Sequence, residues 1–240
     1  MQLISLYQTG STGQNFAQCV EDDNGSGYAS GIINFTTRNG DALKVIQAYK
    51  GMTYYAGEFD EFMSTLESYA EEESGSTEGL DGYCDAWKTA ANNTEFWNAQ
   101  SSVVYNDYEQ PTFTYINQIG IKYSVTHAAL YDTAIVDGLG SSSSSLGGMF
   151  KATNKAFTED VNGASGNNVT INGKYHVDEY VWLAKFLDIR ESKSSSKNVE
   201  AYKSMLESDG SVKDWSSGVT VKGPDGDDVT IKCNYISSSD

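Results

Sequence analysis

Apolar residues return at three- and four-residue spacing in one segment after another of this 240-residue chain, and only two prolines interrupt them. Such a pattern calls for helices that each bury one stripe, and scarce proline leaves them unbroken. Leu3, Ile4 and Tyr7 mark a first helix ending near Thr9-Gly10, and a second is expected to carry Phe16 and Cys19. Tyr28 to Phe35 reads as a strand, "TTRNGD" as a turn, and Asp41 as the cap of a helix over 42–49. Phe59, Phe62, Met63, Leu66 and Tyr69 give a further amphipathic helix. Residues 85–91 and 94–106 read as helices with Trp87 and Trp97 inward, and 112–137 as one long helix. "DGLGSSSSSLGG" has the composition of a flexible linker. Helices over 146–160 and 176–194 follow, with "VNGASGNNVTINGKY" between them as a loop holding a short strand, and a hairpin around Pro224-Asp-Gly closes the chain. The class expected is α+β, mostly α, as a single domain over 1–240.

Charge narrows the partners. Sixteen basic residues stand against 33 acidic ones, a net of −17. Nucleic acid is excluded as a partner, because phosphate binding needs clustered Lys and Arg. The acidity serves solubility in one reading and draws in a cationic ligand in another. No apolar run approaches the roughly 20 residues of a membrane helix, so no membrane association is expected. Asn24-Gly-Ser, Asn34-Phe-Thr, Asn92-Asn-Thr and Asn168-Val-Thr are glycosylation-type triplets. The three cysteines, Cys19, Cys84 and Cys233, fit no metal spacing. Spacing alone leaves open a Cys19–Cys84 disulfide or three thiols. No cofactor or metal site is expected.

The stretch "EDDNGSGYASGIINFTTRNGDALKVIQAY" crowds acids, glycines and an amide ahead of an apolar run. It resembles the signature of glycoside hydrolase family 46 chitosanases, roughly E-D-x-x-D-G-R-G-Y-T-x-G-I-x-G-F and then T-G-D. "DAWKTAANNTEFWNAQ", "ALYDTAIVDG", "LGGMFKATNKA" and "DEYVWLAKFLDIR" resemble later family blocks in the same order, so the similarity runs from residue 3 to about 195. The resemblance implies a lysozyme-like fold of two lobes, a minor one over about 24–110 and a major one formed by the remainder, with a substrate cleft between them. It further implies a secreted monomer that cuts β-1,4-linked glucosamine polymer, chitosan, internally and with inversion. Inversion needs an acid and a base on opposite sides of the scissile bond, with room for a water between.

Carried over by position, the family's general acid falls on Gln8 and its general base on Asn24. Both are amides, which neither give a proton to a leaving oxygen nor take one from water. Residues 1–20 hold no Asp or Glu to replace the acid. Asp22 and Asp23 adjoin Asn24, and a shift of one residue would present Asp23 as a substitute base; their plain reading is a solvated turn. The family's loop Arg is Ser26 here, and the Thr that helps hold the water is Ala29. Asp41 matches a residue that pairs with a glucosamine ammonium, and its plain reading is a helix cap. Tyr28 and Ser26 are further substrate contacts by position. Glu179 would line the far side of the cleft, against a plain reading as an exposed helical acid. Asp132 and Arg190 match an ionic network that positions the acid, and with Gln8 in its place Arg190 must lean on Asp132. His127 and His176 read as packing or surface residues. The resemblance also favours the Cys19–Cys84 pairing. Three readings follow: a disabled chitosanase, a natural chitosan-binding pseudoenzyme, and a hydrolase using Asp22 or Asp23 with an acid from elsewhere.

Overall fold

A computed structural model describes residues 2–54, 56–194, 198–207, 218–223 and 225–231; the side chains of Gln8 and Glu207, together with Pro224 and Cys233, lie outside the described residues. The chain forms two compact units, Met1–Asp107 and Tyr108–Asp240. Among the described residues no helix is long and apolar enough to cross a membrane.

The first unit opens with α1 (Gln2–Thr9), whose Leu3, Ile4 and Leu6 are buried. Three short antiparallel strands follow, β1 (Cys19–Asp22), β2 (Gly27–Ser30) and β3 (Phe35–Thr36). The expected helix through Phe16 and Cys19 is absent, because Cys19 pairs with Ser30 as a strand residue. The Phe16 carbonyl meanwhile accepts from Trp87 Nε1 and Gln100 Nε2, each at 2.9 Å, instead of serving a helix. The strand expected over 28–35 is broken at Gly31. Its φ of +70° is one that L side chains rarely adopt, and an added Cβ would overlap the buried Gln100 amide.

Helices α2 (Asp41–Met52), α3 (Met63–Glu72), α4 (Tyr83–Ala90) and α5 (Thr94–Val104) complete this unit, with α2 packed on α5. Asp41 does not cap α2: Gly40, with φ 75°, holds that place and Asp41 is the first helical residue. There its charge still complements the helix dipole. Trp87 is fully buried beside Phe35, Phe59, Tyr83 and Phe96. Trp97 corrects the expectation of a second inward indole. It is 40% exposed, stacked on Phe16 at 5.3 Å, with Nε1 donating to the Ala91 carbonyl at 2.7 Å. A Cys19–Cys84 disulfide ties β1 to α4.

A π-helical turn, Tyr105–Glu109, leads in sequence to α6 (Gln110–Ile119) and α7 (Ser124–Val136). The single helix expected over 112–137 divides here, because Gly120 (φ +74°) ends α6 in the left-handed region. Helices α8 (Leu146–Lys155), α9 (Glu179–Glu191) and α10 (Asn198–Glu207) pack around Trp182, Leu183, Phe186 and Leu187, all fully buried. Two hairpins accompany them: β4 (Asn168–Ile171) with β5 (Tyr175–Asp178), and β6 (Val219–Lys222) with β7 (Asp228–Ile231).

Asn172 (φ 54°) and Gly173 (φ 66°) turn the first hairpin, the Asn-Gly pair that tight hairpins favour. The serine run is an ordered turn, not a free linker. Leu146 N donates to Gly138 O at 2.8 Å, Gly147 N to Gly140 O at 3.0 Å, and Ser145 Oγ to Ser142 O at 2.9 Å.

The disulfide closes a separation of 65 residues, so its loss is expected to lower the unfolding free energy by about 4 kcal/mol in the chain-entropy account. Urea denaturation of the Cys19→Ser/Cys84→Ser variant against the parent chain measures this.

Candidate active site

In the first unit the acidic glycine loop is the tip of the β1–β2 hairpin. Asp22 pairs with Gly27, and residues 23–26 make the turn between them. Asn24 and Asp23 stand exposed at that tip, while Asp22 and Ser26 are half-buried. Two backbone bonds and one from the Arg38 side chain hold the turn. Gly25 N donates to Asp22 O at 3.1 Å, Arg38 N to Ser26 O at 3.2 Å, and Arg38 Nη1 to Gly25 O at 3.3 Å. A Cβ on Gly75 would overlap the Gly25 carbonyl, so the segment after α3 abuts the tip at closest approach.

The Asp22 carboxylate points along the turn. Its Oδ1 accepts from Asn24 N at 3.3 Å and from Asn24 Nδ2 at 3.0 Å. Asn24 is thereby held by side chain and backbone to one oxygen, an Asx-type contact. Ala29, buried in β2, carries no hydroxyl to hold a water. Tyr28 stacks on Tyr83 at 5.2 Å. Burial first, then the charges of Glu21 and Asp81, raise the Tyr28 pKa above the ordinary phenol value, so the hydroxyl stays neutral and can donate. Asp41 opens α2, one turn before Lys44, whose Nζ meets Asp107 at 2.6 Å. Gln8 is helical in α1.

The second unit holds a buried ion cluster. Arg190 Nη1 donates to Asp132 Oδ2 at 2.7 Å, and Arg190 Nε to Asp137 Oδ2 at 2.8 Å. Asn198 Nδ2 completes Asp132 through Oδ1 at 2.9 Å. Arg190 and Asp132 are both fully buried. Burial pushes the Asp132 carboxyl up, against the pull of Arg190 and Asn198. Burial also opposes the Arg190 cation, but Asp132 and Asp137 outweigh it and hold its pKa above the usual value. Arg190 Nη2 is buried and has no hydrogen-bond partner among the described residues.

The sequence paired Arg190 with Asp132 alone and missed two partners. Asp137 lies just past the end of α7, and Asn198 opens a helix, α10, that the reading of the sequence passed over, although Val199, Tyr202 and Met205 recur there at three-residue spacing.

Glu179 departs from expectation. It is fully buried rather than presented to a ligand or to solvent. Its oxygens accept from Lys122 N at 3.0 Å, Tyr123 N at 2.9 Å and the Asn167 amide, so it braces two loops. Its neighbour Asp178 caps α9 by accepting from Tyr180 N at 3.0 Å and Val181 N at 3.3 Å, and its other oxygen takes Ser165 N at 2.8 Å. That role was readable from an Asp immediately ahead of a periodic segment. His176 is exposed. His127 is half-buried, edge-on to Phe113. Among the described residues no group of His, Cys, Asp and Glu could hold a metal ion.

Chemically, the hairpin tip offers an exposed, hydrogen-bonded amide flanked by acids, suited to hydrogen bonding and to attracting cations. By fold the chain falls among glycoside hydrolases. It is similar to the chitosanase from Bacillus subtilis MY002, solved as a single-residue mutant complexed with 6 GlcN, at TM-score 0.80 and 30% identity over 96% of this chain and 95% of that one. It is also similar to the chitosanase of Gynuella sunshinyii solved with chitotetraose, at TM-score 0.80 and 27% identity over 97% and 95%.

The sequence profile of glycosyl hydrolase family 46 matches residues 2–212, and the chain belongs to that family. The chitosanase of Bacillus subtilis (strain 168) is 35% identical over 189 residues, 79% of this chain and 64% of that relative. The chain spans 57% of the chitosanase of Streptomyces sp. (strain N174), at 27% identity over 72% of its own length.

Two outcomes are expected. Arg190→Met strands two buried carboxylates and is expected to destabilise the fold by about 3–5 kcal/mol, read from urea midpoints. His127, whose pKa burial lowers below 6.5, favours the neutral ring when folded. The unfolded chain then takes the proton first, so stability falls as pH drops through 6.5 toward the folded value. Urea midpoints on either side of that pH should show a smaller acid loss in His127→Gln than in the parent.

Proposed function

We propose that this chain binds chitosan, the β-1,4-linked glucosamine polymer, on the frame of an endo-acting inverting hydrolase, and that amides at positions 8 and 24 leave it catalytically disabled. Family membership supports the substrate class, as do the glucosamine oligomers held by the similar chitosanases. The observation that carries the disabled state is Asn24. It stands exposed at a hairpin tip whose backbone bonds are intact, yet it has no proton to trade.

Gln8 is the matching amide at the acid position. Asp41 would meet a sugar ammonium, and Tyr28 and Ser26 would contact the chain. The net charge of −17 favours a polymer that is cationic at mildly acidic pH, an attraction that salt should weaken. The disulfide fits a secreted protein, since such bonds persist in oxidising compartments.

A second reading, a natural chitosan-binding pseudoenzyme, is favoured by the Asp22–Asn24 bond, which gives the amide a use of its own. In a third, exposed Asp23 acts as base with an acid from elsewhere.

Calorimetric titration of glucosamine hexamer at low ionic strength is expected to give binding that an uncharged glucan does not match, with few or no reducing ends released. Gln8→Glu with Asn24→Asp is expected to raise hydrolysis by roughly 10²–10⁴-fold for each restored group. A reverted chain that binds but stays inert selects the pseudoenzyme. Brisk cleavage by the parent chain would overturn the placement of both residues.

A further inference from the structure

The geometry points to Asp22 as a positioning residue that fits position 24 for an amide and resists a carboxylate there. One Asp22 oxygen receives both the backbone N–H and the Nδ2 of Asn24, at 3.3 and 3.0 Å. The backbone that carries the carboxylate is fixed: Asp22 is half-buried, paired to Gly27 at the end of β1, and its main-chain carbonyl accepts Gly25 N at 3.1 Å.

An oxygen in place of Nδ2 would stand beside that carboxylate with no proton between them. Two carboxylates so placed do not both ionise in the ordinary range, and one is raised. The surroundings give limited relief. Glu21 and Asp23 adjoin on the hairpin, and Glu73 and Glu78 flank the segment that abuts the tip. Arg38 is the cation at hand, and its Nη1 is bonded to the Gly25 carbonyl at 3.3 Å.

An isolated Asn24→Asp change would therefore give a base shared with Asp22. Exchanging the two residues, Asp22→Asn with Asn24→Asp, reverses donor and acceptor in the side-chain bond, gives up the backbone N–H contact to the same atom, and leaves a single carboxylate of the two, at position 24.

The inference rests on the proposed base position only where hydrolysis is read. The test follows side-chain carboxyl carbons by NMR through a pH titration of the full chain carrying Asn24→Asp or the exchanged pair. The single variant is expected to show one carboxyl about one pKa unit or more above that of the exchanged pair. In the unaltered background, Asp22→Ala should speed hydrogen exchange of the Asn24 side-chain amide. Equal titration in the two variants, or unchanged exchange in Asp22→Ala, would overturn the positioning role.

With Gln8→Glu added to both, the acid limb of the hydrolysis profile should lie at higher pH for the single change than for the exchanged pair. If the titrations differ and neither protein hydrolyses, the role of Asp22 stands and the assignment of position 24 falls.

Discussion

The indole of Trp87 is fully buried, ringed by Phe35, Phe59, Tyr83 and Phe96, and its one polar atom donates to the Phe16 carbonyl. That single bond couples apolar packing to the path of the chain entering the sheet. Gln100, also buried, grips the same carbonyl and the N–H of Ile32, so both approaches to the hairpin are fixed from one side. The disulfide adds a covalent stay between β1 and α4 three residues before Trp87. The β1–β2 hairpin is anchored by this cluster, since the four turn residues themselves bury little.

A hairpin held from outside tolerates a change of chemistry at its tip. Asn and Asp have nearly the same shape, and the bonds that define the turn run through backbone atoms and Arg38. Exchanging one for the other therefore leaves the backbone of the turn in place and falls on the Asp22 contact, where a second carboxylate oxygen would replace an amide donor. In the second unit a buried cation is instead answered by two acids and an amide. Arrangements of that kind are sensitive to the loss of any member, while contributing little net stability when complete.

Most helices were legible from apolar spacing, α10 excepted, and their ends were not. The break at Gly120 hides inside a periodic run that continues on both sides. The strand at Cys19 looked helical because its partner, Ser30, is set by a turn and not by any local preference. Trp97 reads as core by type, yet an indole with a carbonyl for its N–H and a Phe for its face can rest at the surface. The positions Gln8, Asn24 and Asp41 came from the resemblance of ordered sequence segments, as did Asp132 and Arg190. Asp137 sits in the same block as Asp132 and was passed over, and Asn198 lies beyond the last block, because a buried cation recruits whatever the fold brings near it. Glu179 misled for a related reason: an acid opening a helix looks solvated unless the loops it braces are known.

The close approach of Gly75 to the Gly25 carbonyl makes a bare backbone crossing into a fulcrum. A single methyl there is a wedge with nowhere to go but against the hairpin. It would tilt the tip while leaving every charge in the loop as it was. Position 75 therefore offers a purely steric handle on a loop whose other adjustments are all electrostatic.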